Sequence, residues 1–242
     1  MLLDASEAID LVLIHSGQNY DYELNQIFFE DLCIREPNYF LNAAGNSAVE
    51  TIAKVIESLE PILVKEIPDA FLLLGDTNSC MGVITAKKLK IPIFHLEAGN
   101  RCFDQRVPEE VNRRVIDHLS DINLCYSALA RQNLMNEGLS TDRCITVGSP
   151  MREIFEHYMS SIEASSILER LKLEREKYFV VSTHREENVD TAERLKNWIQ
   201  ILNRIAEEYR FPIIVSTHPR TRKRIDALGL KFHDLVQLLK PL

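Results

Sequence analysis

Short apolar runs of strand character recur along this chain, at Leu11 to Ile14, Ala70 to Leu74, Ile91 to Phe94, Ile122 to Cys125 and Cys144 to Val147. Most of the gaps between them carry apolar residues at helical spacing. A strand followed by a helical crossover re-enters the sheet in its original direction, so the pattern predicts an α/β fold with a parallel sheet covered on both faces. Asn46 and Ser47 open the clearest helix: Val49, Ile52, Ile56 and Leu59 keep helical spacing before Pro61 and again before Pro68. Similar helices are expected to begin near Pro108 and Ser127.

From Arg152 to Lys177 the chain turns helical and charge-rich, and a second alternation then opens with Tyr178 to Ser182, an amphipathic helix from Ala192 to Tyr209, and Ile213 to Ser216. The expected domains are therefore 1–165 and 166–242, the second an incomplete α/β unit. No internal repeat or low-complexity tract interrupts them.

Composition excludes several classes of partner. With 242 residues and 45% hydrophobic content the chain can build a substantial core. Its 28 Lys and Arg against 36 Asp and Glu give a formal charge of -8, so no general basic field exists to hold a nucleic acid, and an anionic ligand needs a local cationic pocket. The 5 cysteines are odd in number and widely spaced without a CxxC pair, which fits a reducing cytoplasm and gives no metal knot. The first residues carry Asp4, Glu7 and Asp10 instead of a basic leader, and no apolar run reaches the length of a membrane span. These features predict a soluble, cytoplasmic protein with no membrane partner.

Five polar clusters each follow an apolar strand: Ser16, Gly17, Gln18; Gly75, Asp76, Thr77; Glu97, Ala98, Gly99; Gly148, Ser149, Pro150; and Thr183 through Asn188. In open α/β sheets the carboxyl ends of the strands line the ligand crevice, so the shared position matters more than any one cluster. Singly, each has a plain alternative. Asp76 could simply cap the following helix, Glu97 could pair with Arg101 or Arg113, and one of Glu109 and Glu110, in a first helical turn after Pro108, could serve only the helix dipole. His184, with Arg185 and Asn188 beside it, makes an anion grip, and His218 with Arg220 repeats that chemistry after the next strand. No three ligands stand at metal-binding spacing, and GxSxG, GxxxxGK[ST] and GxGxxG motifs are lacking.

Gly75-Asp76-Thr77, His95-Leu96-Glu97-Ala98-Gly99, Pro108-Glu109-Glu110 with Asn112-Arg113, and Thr183-His184-Arg185 with Glu187-Asn188 resemble, in order and spacing, the motif series of the non-hydrolysing UDP-N-acetylglucosamine 2-epimerases. The wording from Gly99 to Pro108 is similar to that of a subgroup converting UDP-2-acetamido-2,6-dideoxy-L-talose to UDP-N-acetyl-L-fucosamine. The resemblance implies Rossmann-like domains in a GT-B-like arrangement, a UDP-N-acetylhexosamine substrate, no redox or other cofactor, a homodimer, and a place in surface polysaccharide precursor synthesis in a bacterial or archaeal cytoplasm. By the same resemblance Asp76, Glu97 and Glu109 are the catalytic carboxylates. His184 and Arg185 grip the UDP, and Gln18 and Arg113 line the sugar-nucleotide crevice.

Two departures accompany it. Family members open with a strand and a Gly-Thr-Arg-Pro turn that this chain lacks, and they extend past Leu242 to a serine, paired glycines and a glutamate that bind the nucleotide. A chain short at both ends leaves a competing reading, a non-catalytic remnant. A GT-B glycosyltransferase fits the architecture but gives no reason for the Asp76, Glu97, Glu109 set.

Overall fold

The computed structural model describes residues 8–17, 26–183, 191–217, 222, 224–225, 229 and 231–239. The chain divides into two compact units, Met1–Ile154 and Phe155–Leu242.

In the first unit β1 (Ile14–His15) pairs in parallel with β2 (Tyr39–Phe40), and β3 (Phe71–Leu74), β4 (Ile93–Ala98), β5 (Ile122–Cys125) and β6 (Cys144–Thr146) form a 4-stranded sheet in sequence order with every neighbour parallel. The helices are α1 (Gln26–Asp31), α2 (Ala48–Glu66), α3 (Val83–Lys88), which follows a 3-10 turn at Asn78–Gly82, α4 (Pro108–Leu119) and α5 (Ala128–Asn136). Continuing along the chain come α6 (Met151–Glu163), α7 (Ile167–Arg170), β7 (Phe179–Thr183), α8 (Ala192–Tyr209), β8 (Ile213–Thr217) and β9 (Val236–Leu239). The second unit's sheet is 3-stranded, parallel and ordered β7-β8-β9. The parallel α/β pattern read from the sequence is thus present in both units, while the short β2 and β9 were not foreseen.

Helix α2 departs from expectation in two ways. It starts as predicted, with the Ser47 hydroxyl accepting the Glu50 N–H at 3.1 Å and the Glu50 carboxylate accepting the Asn46 N–H at 2.7 Å. It then runs unbroken through Pro61, where the sequence reading interrupted the helical spacing, and ends at Glu66 with Ile67 capping it in a left-handed conformation. Its buried stripe is Thr51, Val55, Leu59 and Leu63, whereas Val49 is 76% exposed. Burying Leu63, worth about 1.5–3 kcal/mol, offsets most of the roughly 3 kcal/mol that an internal proline costs.

The largest core joins Leu59 and Leu63 to Leu73, Val83, Ala86, Ile93 and Ile116; a second joins Ala98, Cys125, Ala130, Leu134 and Cys144. Burial pushes the Cys80 thiol above its usual value and the Cys125 thiol up to about 11, so both behave as small apolar core residues. At the outer strand β3, Leu73 is buried while Leu72 and Leu74 are exposed, so cover on both faces does not extend to that edge. In the second unit Leu195, Ile199, Leu202 and Ala206 bury one face of α8, the last two in a cluster with Ile213 and Val215. Among the described residues no helix is long and apolar enough to cross a membrane.

Candidate active site

The loops that leave β3 and β4 meet. Gly75 takes φ +80°, closed to most side-chain-bearing residues, and its N–H donates to the Leu96 carbonyl at 3.1 Å. The next residue, Asp76, does not cap the turn that follows, whose N-cap is Thr77. Its carboxylate instead accepts Arg113 Nε at 2.6 Å, and its carbonyl accepts Asn112 Nδ2 at 2.9 Å. Burial works against the Arg113 charge, but Asp76 and Glu110 more than offset it and hold the guanidinium above its ordinary pKa.

Glu97 has φ +71°, and the pairing of β4 with β5 slips between Leu96 and Ala98. A side chain in this left-handed region costs about 1–3 kcal/mol and persists only where the surroundings impose it. The bulge breaks the strand's alternation and aims the carboxylate at the β3 loop: a Cβ added to Gly75 would lie 3.7 Å from Glu97 Oε2. Asn100 Nδ2 donates to Glu97 Oε1 at 3.3 Å. Neither arginine offered as a structural partner takes that role, since Arg101 pairs with Asp117 and Glu137 and Arg113 with Asp76 and Glu110. Burial and the nearby Glu97 charge push the Tyr126 phenol up, which keeps it a neutral neighbour of the carboxylate. Tyr126, just past β5, carried no sequence signal.

The two first-turn carboxylates of α4 differ sharply. Glu110 is fully buried; it accepts the Cys102 N–H at 3.0 Å, Arg113 Nη1 at 3.2 Å and Arg114 Nη2 at 3.2 Å. Burial pushes its carboxyl up, yet these donors outweigh it and the net shift is downward. Glu109 is exposed and stands one helical turn from Arg113, on the same face. Asp76, Glu97 and Arg113 are therefore brought together on the loops and helix beyond the sheet, and Glu109 shares the helix that carries Arg113. Gln18, His184 and Arg185 lie outside the described residues, as do Asn188, His218 and Arg220.

Sequence reasoning missed the layer behind these groups. His95, 1% exposed, contacts Asp117 Oδ1 through Nδ1 and the Gly75 carbonyl through Nε2, both at 2.8 Å. Asp117 also accepts Arg101 Nη1 at 2.7 Å, and Arg101 makes a two-pronged bridge to Glu137 at 2.8 and 2.7 Å. A histidine two residues after Ile93 on a strand's inward face was the available signal, because such a side chain needs buried partners.

The family model described as UDP-N-acetylglucosamine 2-epimerase matches residues 2–242. The chain belongs to the UDP-N-acetylglucosamine 2-epimerase family. A solved UDP-N-acetylglucosamine 2-epimerase from Rickettsia bellii is 47% identical, with a TM-score of 0.84 over 96% of this chain and 61% of that one. The Methanocaldococcus jannaschii UDP-GlcNAc 2-epimerase, solved in complex with UDP-GlcNAc and UDP, is 34% identical, with a TM-score of 0.87 over 99% of this chain and 68% of that one. A UDP-N-acetylglucosamine 2-epimerase homolog from Methanococcus maripaludis is 38% identical over 95% of this chain. The chain spans 65% of that relative's length. Family membership accounts for the order of the motifs from Gly75 to Asn188 along this chain.

Proposed function

We propose that this chain is a non-hydrolysing epimerase acting at C2 of a UDP-activated N-acetylhexosamine. The observation that carries the reading is the meeting of the β3 and β4 loops, which sets the Glu97 carboxylate against Gly75 while Asp76 sits on Arg113. Inversion at C2 needs a proton removed from one face and returned to the other, and neighbouring carboxylates from different loops suit that task. The C2 proton is weakly acidic, so departure of the diphosphate leads. The C1–O bond breaks with its electron pair leaving on UDP, positive charge develops at C1, and carboxylates stabilise it. One carboxylate then takes the C2 proton as the C1=C2 double bond forms. In the return step a proton is delivered to the opposite face of C2, and the UDP oxygen re-forms the bond to C1. Atoms balance without an oxidant or reductant.

Asp76, Glu97 and Glu109 are assigned the acid, base and charge-stabilising roles, and His184, Arg185 and Gln18 the grip on the nucleotide sugar, with Arg113 orienting Asp76. A cytoplasmic homodimer is part of the same reading, as are domains at 1–165 and 166–242. The wording from Gly99 to Pro108 supports a substrate of the 6-deoxy-L series as the finer assignment. The test is incubation in heavy water with UDP-N-acetylglucosamine and, separately, with UDP-2-acetamido-2,6-dideoxy-L-talose, following the C2 proton by NMR. Deuterium should enter C2 of one of them, and which one names the sugar series. Acceptor-dependent UDP release without exchange would point to a glycosyltransferase, and silence from a folded sample to a non-catalytic remnant.

A further inference from the structure

The side-chain tethers around Asp76 converge on one helix, α4. The Asp76 carboxylate is held by Arg113 at 2.6 Å, the Asp76 carbonyl by Asn112 at 2.9 Å, and the carbonyl before it, that of Gly75, by His95 at 2.8 Å. His95 in turn rests on Asp117, so three successive anchoring points around Asp76 trace to residues 112, 113 and 117 of α4. Asp117 reaches the other loop as well: its carboxylate accepts the Gly99 N–H at 3.3 Å, two residues past Glu97, together with Arg101 Nη1. Asn123 Nδ2 donates to the Asp117 carbonyl at 3.0 Å and fixes that residue from β5. The same helix carries Glu109 in its first turn.

His95 is a rigid spacer between the two loops. A backbone carbonyl accepts, and Asp117, surrounded by the donors Arg101 and Gly99 N–H, presents a carboxylate that also accepts, so each 2.8 Å contact is donated by the ring nitrogen that faces it when that nitrogen carries a proton. The ring thereby sets the distance between the Gly75 carbonyl at the end of β3 and Asp117 on α4.

We infer that His95 and Asp117 are a positioning pair, which registers the Asp76 loop and the strained Glu97 bulge against α4 so that the carboxylates face one reaction centre. The inference rests on the epimerase reading for its chemical meaning, and its geometry can be tested apart from it. Neither residue touches the reacting atoms; both act through the loops they hold.

The experiment uses the 242-residue chain, isotopically labelled, as wild type, Asp117→Asn and His95→Gln. In the wild type, long-range proton–nitrogen spectra should show a His95 ring proton held against exchange with solvent; a ring whose protons exchange as freely as those of an exposed imidazole would overturn the bridge. In Asp117→Asn the new amide can still accept from Arg101 and Gly99 and can donate to His95 Nδ1. The fold should therefore survive, with His95 Nδ1 accepting from the new amide and Nε2 donating to the Gly75 carbonyl. Backbone amides of Gly75, Asp76, Glu97 and Gly99 should move in both variants while those of β7 and β8 stay. Unmoved loop amides would overturn the positioning role.

With a sugar that exchanges, the turnover of C2 exchange per folded molecule should fall on the order of a hundredfold in either variant, as expected for a small misplacement of reacting groups, with KM nearly constant. A drop explained wholly by fewer folded molecules, at unchanged turnover, would reduce the pair to a structural one. If the wild type exchanges neither sugar, the functional reading fails for this chain, and the ring-proton and loop-amide spectra alone decide the inference.

Discussion

The two units solve the same architectural problem with different interiors. Both build a parallel sheet with apolar strands, but the first buries His95, Glu110, Asn112, Asp117 and Asn123 behind its sheet exits, whereas Thr217 is the second unit's sole buried polar side chain among the described residues. Thr217 spends its hydroxyl on the Leu239 carbonyl, a link within the sheet. Buried ions are costly unless paired, and an apolar substitute of similar volume often gives equal or greater stability. The first unit's polar interior is therefore best understood as holding loops in one arrangement, at some expense of stability, while the described core of the second unit is apolar packing of α8 against its sheet and Phe232. If so, substitutions behind the first sheet should alter chemistry and substitutions in the second core should alter only stability.

The largest effect that would break this contrast is chemical. Replacing Glu97 by Gln keeps the size and the contact with Asn100 but removes the charge. Exchange at C2 should fall by roughly 10²–10⁴-fold, the usual contribution of a positioned acid or base, with UDP affinity measured by calorimetry nearly unchanged. Wild-type exchange in that variant would remove Glu97 from the mechanism. Next comes Gly99→Ala. The residue has φ +81°, and an added Cβ would sit 2.3 Å from the Ala130 carbonyl oxygen, so strain and overpacking together should destabilise the first unit by about 2–6 kcal/mol. Hydrogen exchange should show the loss in β4 and α5 while α8 retains its protection. The mirror experiment is Leu202→Ala, which removes a 2% exposed side chain from the second core. It should cost about 2–5 kcal/mol there and leave amide protection in α4 untouched. Spread of either loss into the other unit would show that they unfold together.

How far the sequence could have led is itself uneven between the two regions. Most strand positions, the start of α2 at Ser47, the start of α4 at Pro108 and the full span of α8 were legible, because periodicity and capping are local. The passage of α2 through Pro61 was not, since it depends on Leu63 finding a core built from distant strands. At the site, the residue types at the strand ends were legible and their partners were not. Asp117 lies 22 residues from His95, and Glu137 lies 36 from Arg101; nothing in spacing joins them. The Glu97 bulge was likewise invisible, because glutamate gives no cue for a left-handed backbone.

The gentlest probe of the same contrast is acid. Arg101 and, more weakly, Arg114 and His118 face Glu137 and hold its carboxyl down at about 2, against an ordinary 4.5. The folded state therefore keeps Glu137 ionised over a range in which the unfolded chain takes up a proton. The resulting stability is fully present above 4.5 and is lost progressively as the pH falls toward 2. Melting of the first unit should shift with pH across that window, and Glu137→Gln should flatten the dependence while lowering stability near neutrality, because Arg101 would keep its contact with Asp117 but lose its two-pronged partner. The second unit, with no buried carboxylate among its described residues, should melt with less dependence on pH. Parallel pH curves for wild type and Glu137→Gln would mean that the buried ion cluster does not govern the first unit's acid response, and the difference between the two interiors would then have to lie in chemistry alone.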